Sequence, residues 1–135
     1  MDIDTLINDL AREREWNLLY LRDEDSYRIT MRTPGDRFQD VYVSFRQDDE
    51  GSWVASIWSV VSDADDFDFS DPRELLRFNW RNIYGSLALR GEQVVLLQNQ
   101  FAEEANWNEV GRAIHSIGLN ADSMEKGIYG DRDEN

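Results

Sequence analysis

The densest group of potential ligands lies between Asp63 and Glu74, where Asp63, Asp65, Asp66, Asp68, Asp71 and Glu74 crowd together. A calcium loop takes its oxygens at fixed positions up to a bidentate acid at twelve, and needs glycine at six for the sharp turn. Counted from Asp63, acids stand at one, three, nine and twelve, but Phe67 holds five and Asp68 holds six. Without that glycine the stretch reads as a solvated loop that opens a helix, with Glu74 taken by the helix cap. Divalent cations are expected to bind it weakly and without selectivity for calcium.

Other chemistry finds less to work with. His115 is the one histidine and there is no cysteine, which excludes two-histidine and thiolate metal sites and a cysteine nucleophile. His115 stands beside Ile114 with no serine elbow near it, so a structural role is expected. Acids are so common that no carboxylate pair stands out as a general acid and base. Walker, GxGxxG and HExxH patterns are absent. The chain is therefore expected to be no enzyme and to hold no cofactor or metal. Arg28, Arg32 and Arg46 share polar strand faces with Thr30, Tyr42 and Ser44, a mixture that can bind single-stranded nucleic acid. A formal net charge of −14 opposes that use, and pairing with neighbouring acids is the expected role of these arginines.

Composition bounds the rest. The chain has 135 residues, 41% hydrophobic and 12% aromatic, which suits one packed domain over 1–135 and excludes a disordered chain. Thirteen arginines against Lys126 alone, with acidic excess, is a pattern that salt-adapted chains can carry. No apolar run approaches a membrane span, and the acidic start MDIDTLINDLARERE lacks a signal-peptide profile. With no cysteine, a cytoplasmic location is expected.

The elements follow from hydrophobic period. Ile3, Leu6, Ile7 and Leu10 predict an amphipathic helix over 3–14, capped by Asp2 or Asp4, that covers one face of a sheet. From Trp16 to about Ser62 the period becomes two: Trp16, Leu18 and Tyr20, then Tyr27, Ile29 and Met31, then Val41, Val43 and Phe45. Short separators rich in Asp, Gly and Pro make these an antiparallel meander. The strand Trp53 to Val61 is apolar on both faces, with Trp53, Ala55, Ile57 and Val61 opposite Val54, Trp58 and Val60, so both faces need a cover.

Asp71, Pro72 and Glu74 predict a capped helix that Gly85 ends. Leu76, Trp80, Ile83 and Tyr84 form its expected sheet-covering stripe, which leaves Leu75 and Phe78 as a second patch for a partner. Ser86 to Phe101 predicts a hairpin about Arg90-Gly91-Glu92. A last helix starts near Asn106, with Glu109 completing a capping box. Trp107, Val110, Ile114, Ile117, Ala121, Met124 and Ile128 form a heptad seam along it. Gly111 and Gly118 argue for a helix laid on a sheet rather than a coiled coil, and Gly118 is expected to bend or break it. The tail 130–135 is expected to fray.

In the stretches Leu75-Leu76-Arg77-Phe78-Asn79-Trp80, Tyr84-Gly85-Ser86-Leu87-Ala88-Leu89 and Gln93-Val94-Val95-Leu96-Leu97, the chain resembles the YbjN-like branch of the type III secretion chaperone-like fold. Asp36-Arg37-Phe38-Gln39-Asp40-Val41-Tyr42-Val43 and Ser56-Ile57-Trp58-Ser59 are similar to it as well. The resemblance implies an α+β two-layer domain ordered helix, antiparallel β meander, helix, β hairpin, helix. It also implies a small acidic domain, often dimeric, that binds protein segments or regulates by contact. The resulting expectation is a non-enzymatic protein-interaction domain. It forms a homodimer, contacts a protein partner not identified, and uses Trp53, Trp58, Leu75 and Phe78 as its surface. Two alternatives are a small ligand-binding protein or hydrolase with a pocket between sheet and helices, and an acidic decoy for a basic partner.

Overall fold

The computed structural model describes residues 1–130. Helix α1 (Ile3–Arg14) is followed by β1 (Asn17–Leu21), β2 (Ser26–Thr33), β3 (Arg37–Gln47) and β4 (Trp53–Asp63). Helix α2 (Pro72–Arg81), β5 (Ser86–Arg90), β6 (Gln93–Phe101) and α3 (Trp107–Tyr129) complete the order. All pairings are antiparallel in one six-stranded sheet, β1-β2-β3-β4-β6-β5. The chain is thus α+β, with the meander running in sequence and the last hairpin added beyond β4. The expected tail lies, past Gly130, outside the described residues.

Alternation decides which face is core. Tyr27, Ile29 and Met31 of β2 and Val41 and Val43 of β3 are buried under the helices, together with Ala55, Ile57 and Val61 of β4. Helix α1 adds Ile7, Leu10 and Ala11, and its first turn is capped by Asp2, which accepts from the Thr5 N–H at 3.2 Å. The seam of α3 lies on the sheet as expected, with Trp107, Val110, Ile114, Ile117 and Ala121 buried. The Trp107 indole N–H donates to the Leu6 carbonyl at 3.0 Å and its ring stacks on Phe45, which ties α1, α3 and the sheet into one corner.

Two expectations about α3 change. The helix runs unbroken from Trp107 to Tyr129, so Gly118 does not interrupt it. A Cβ at Gly118 would lie 2.5 Å from Met31 Sδ and 2.9 Å from Val41 Cγ2, and one at Gly111 would lie 2.9 Å from Leu10 Cδ1. Both glycines serve close approach, the first to the sheet and the second to α1. The capping box belongs to the preceding turn: Asn106 accepts from the Glu103 N–H at 2.6 Å, and Glu109 pairs with Arg112 instead.

One end of the core is polar. Arg37, in phase with Val41 and Val43 on β3, points inward and meets Asp122 at 3.0 Å and Glu125 at 2.8 Å, all three buried. Beside them the buried Gln39 amide donates to Ser59 Oγ at 2.8 Å and to the Val60 carbonyl at 3.0 Å. Burying charge costs free energy unless it is paired and hydrogen-bonded, and here each carboxylate receives a guanidinium N–H. The apolar seam ends beyond Met124, which still packs against the core, and Ile128 is exposed.

Candidate functional site

Helix α2 departs most from expectation. Asp71 caps it, accepting from the Glu74 N–H at 3.3 Å, and Pro72 opens it. Its Glu74 carboxylate turns to Arg77 rather than back to the cap. The helix stops at Arg81, before Gly85. Asn82 is extended and its side chain holds the Gly85 carbonyl at 3.0 Å. Ile83 and Tyr84 are therefore outside the helix.

The faces of α2 are exchanged. No residue of the helix is buried, and the inward side carries the half-buried Leu75, Phe78 and Asn79. The stripe expected to cover the sheet faces solvent, with Leu76, Trp80 and Ile83 exposed at 69, 90 and 79%. The reason lies in β5. This strand is an edge, and Asn79 takes both backbone groups of Leu87, accepting from its N–H at 2.7 Å and donating to its carbonyl at 3.3 Å. Those two bonds choose the Leu75–Phe78–Asn79 side. Between α2 and β5 lies an apolar groove of about 320 Å³, lined by Phe67, Phe69, Leu75, Leu87, Leu89 and Val94 among others.

The residues expected to share a contact surface are not brought together. Leu75 and Phe78 flank Asn79 at the β5 edge. Trp53 is half-buried at the other end of β4, where its carbonyl accepts from the Ala102 N–H at 2.9 Å. Trp58 is buried on the helix-free face, stacked on Tyr42 with ring centroids 5.7 Å apart. Its cover is local, as Val60 and Val95 are buried beside it and Tyr42, Ala88 and Leu97 pack around them. The double-faced strand is thus roofed by its own neighbours. The buried set of Arg37, Asp122 and Glu125 did carry a sequence signal. Arg37 shares the parity of Val41, and Gly118, Asp122 and Glu125 follow one another at helical spacing.

The acids of the 63–74 loop are dispersed among separate tasks. Asp66 accepts from the Tyr129 hydroxyl at 2.6 Å, Asp68 from the Ser70 N–H at 2.9 Å, and Asp71 caps α2. The Ser70 bonds hold the exposed Asp68 carboxyl below its ordinary value. Among the described residues, no three potential ligands converge on a cation position. His115 is exposed, its ring 6.2 Å from Trp16. No described helix is long and apolar enough to cross a membrane. Neither a family model nor a curated protein matches the chain.

Proposed function

We propose that the chain is a non-enzymatic protein-interaction domain, chaperone-like or regulatory, that pairs with a second copy of itself through the outer face of α2. The observation that carries this reading is the exposure of Leu76, Trp80 and Ile83 at 69, 90 and 79%. Single apolar residues on a surface need no explanation, but a stripe of three large ones on an otherwise acidic molecule marks a contact surface.

Charge along the segment supports self-pairing. Acids fill 63–71, and Arg73, Arg77 and Arg81 follow on α2. In a two-fold pair with antiparallel helices, each Arg81 end faces the other copy's Asp68–Asp71 end, so attraction replaces the repulsion expected between two −14 chains. Leu76 and Trp80 interleave at the centre. Leu75 and Phe78 then brace the helix from its inner side, and Trp53 and Trp58 stand away from the interface. Membership of the YbjN-like branch of the secretion chaperone-like fold, and a cytoplasmic location, belong to the same proposal. They rest on the quoted residue stretches and the cysteine-free sequence.

Light scattering coupled to size exclusion tests it. A mass near twice 15.8 kDa is expected at low and high salt, and Leu76→Ser with Trp80→Ser is expected to return a monomer with the circular dichroism of the folded wild type. A wild-type chain that stays monomeric at about 100 μM, far above a micromolar Kd, overturns the proposal. So does a double variant that stays dimeric.

A further inference from the structure

The helix-free face of the sheet holds a basin of about 570 Å³. Its floor is made by residues in direct cross-strand register, Arg28 opposite Tyr42 and Tyr42 opposite Trp58, with the two rings stacked at 15°. The twist of the sheet brings the β1–β2 turn and the β5–β6 hairpin over this floor from opposite ends of the strand order. Arg90 lies 5.0 Å above the Trp58 ring, and its guanidinium reaches within 4.0 Å of Glu24. Arg22 and Asp23 complete the rim.

The basin gathers arginine in an acidic molecule. Arg22, Arg28 and Arg90 line it together with Asp23 and Glu24, and Asp40 acts on Tyr42 from beside it, in a chain of −14. Arg28 is half-buried, and its guanidinium makes no ion pair or hydrogen bond among the described residues. A guanidinium with no ion pair of its own is available to an incoming anion. Guanidinium forks suit carboxylate and phosphate oxygens, and the half-buried Tyr42 is the accessible aromatic surface of the floor, since Trp58 is buried with Arg90 over its ring. The Tyr42 hydroxyl, like any phenol, is a donor at neutral pH, and burial with Asp40 nearby raises it above its ordinary value.

We infer that this basin binds a small anion carried on a flat aromatic ring, with Arg28 and Arg90 gripping the charge and Tyr42 supporting the ring beside the buried Trp58. The site lies on the face opposite the core helices and does not depend on self-pairing through α2. A polyanion is disfavoured because the molecule's acids extend well beyond the basin, whereas a small ligand feels chiefly the groups within a Debye length of about 10 Å.

Amide and indole NMR of the full chain, titrated with 2-naphthoate, 2-naphthyl phosphate and the neutral 2-naphthylmethanol, tests the inference. Both anions are expected to saturate with shifts at the Trp58 indole and at Arg28, and their relative affinity separates a carboxylate site from a phosphate site. The alcohol is expected to bind at least about tenfold more weakly, and Arg28→Gln or the more exposed Arg90→Gln to weaken the anions by about tenfold. Arg28→Lys is expected to rescue only in part, because an ammonium lacks the fork. The inference is overturned by an alcohol that binds as well as the anions, by shifts confined to the groove beside Leu75, or by variants that bind like wild type. Tighter binding of a single-stranded oligonucleotide than of either naphthyl anion also overturns it.

Discussion

Asn79 stands to Leu87 as a neighbouring strand would, with its carboxamide bonded to both the N–H and the carbonyl of that one residue at 2.7 and 3.3 Å. A side chain from α2 thereby covers the exposed edge of β5 at Leu87, its second residue. Open strand edges recruit other chains, and covering one is a means of preventing that. The same two bonds hold α2, which has no buried residue of its own.

Asn79→Ala should therefore loosen the helix and open the edge together. Leaving two backbone groups without their partner costs about 1–3 kcal/mol. Hydrogen exchange is expected to quicken at Leu87 and across α2 while the amides of β3 and β4 keep their protection. Unchanged exchange at Leu87 would show that the helix is held by its apolar contacts alone.

Much of this architecture is legible in the sequence, and the reason is periodicity. Tyr27, Ile29 and Met31, or Val41 and Val43, announce a strand with one buried face, and Trp107 to Ala121 announces a helix against a sheet. What one element cannot reveal is which of two apolar arcs turns inward. Helix α2 carries both, and the choice is made by Leu87, eight residues away from Asn79 and in another element. Arg37 reaches partners 85 and 88 residues away, a separation that no local pattern encodes. The basin over Trp58 arises from sheet twist, which brings Glu24 to Arg90 without any motif joining them.

The buried charges make a second test. Arg37→Met leaves the Asp122 and Glu125 carboxylates buried without their guanidinium, and removal of one partner from such a set costs about 3–5 kcal/mol. Chemical denaturation should show that loss. Replacing Arg37, Asp122 and Glu125 together with Met, Leu and Leu should recover most of it, since no charge is then left behind.

Two glycines of α3 should respond with opposite signs. At Gly118 an added methyl meets Val41, whose branched side chain is stiff, as well as the more yielding Met31, so Gly118→Ala should cost about 1–3 kcal/mol. At Gly127 an added Cβ would find nothing within 4 Å, so Gly127→Ala should stabilise by about 0.5–1 kcal/mol through helix propensity alone. Thermal melts of the two variants settle both signs.

Alkaline pH should unfold the protein earlier than its acids would suggest. Burial, then the hydrogen bond to Asp4 at 3.0 Å, raises the Tyr27 hydroxyl above its ordinary value of 10.0. The folded state then holds a proton that the unfolded state has lost, so this contribution is complete below about pH 10 and declines as pH rises through the folded value. Tyr27→Phe should flatten the fall in stability above pH 10, measured by denaturant midpoints at successive pH values.

The two close approaches of α3 also set a rule about length. Gly111 receives Leu10 from α1 and Gly118 receives Met31 from the sheet, two different neighbours along one helix. Adding or deleting a single residue between them would rotate one site by about 100° relative to the other. Either contact could then form, but not both. The outward residues of this stretch are free to vary, whereas the number of residues in it is not.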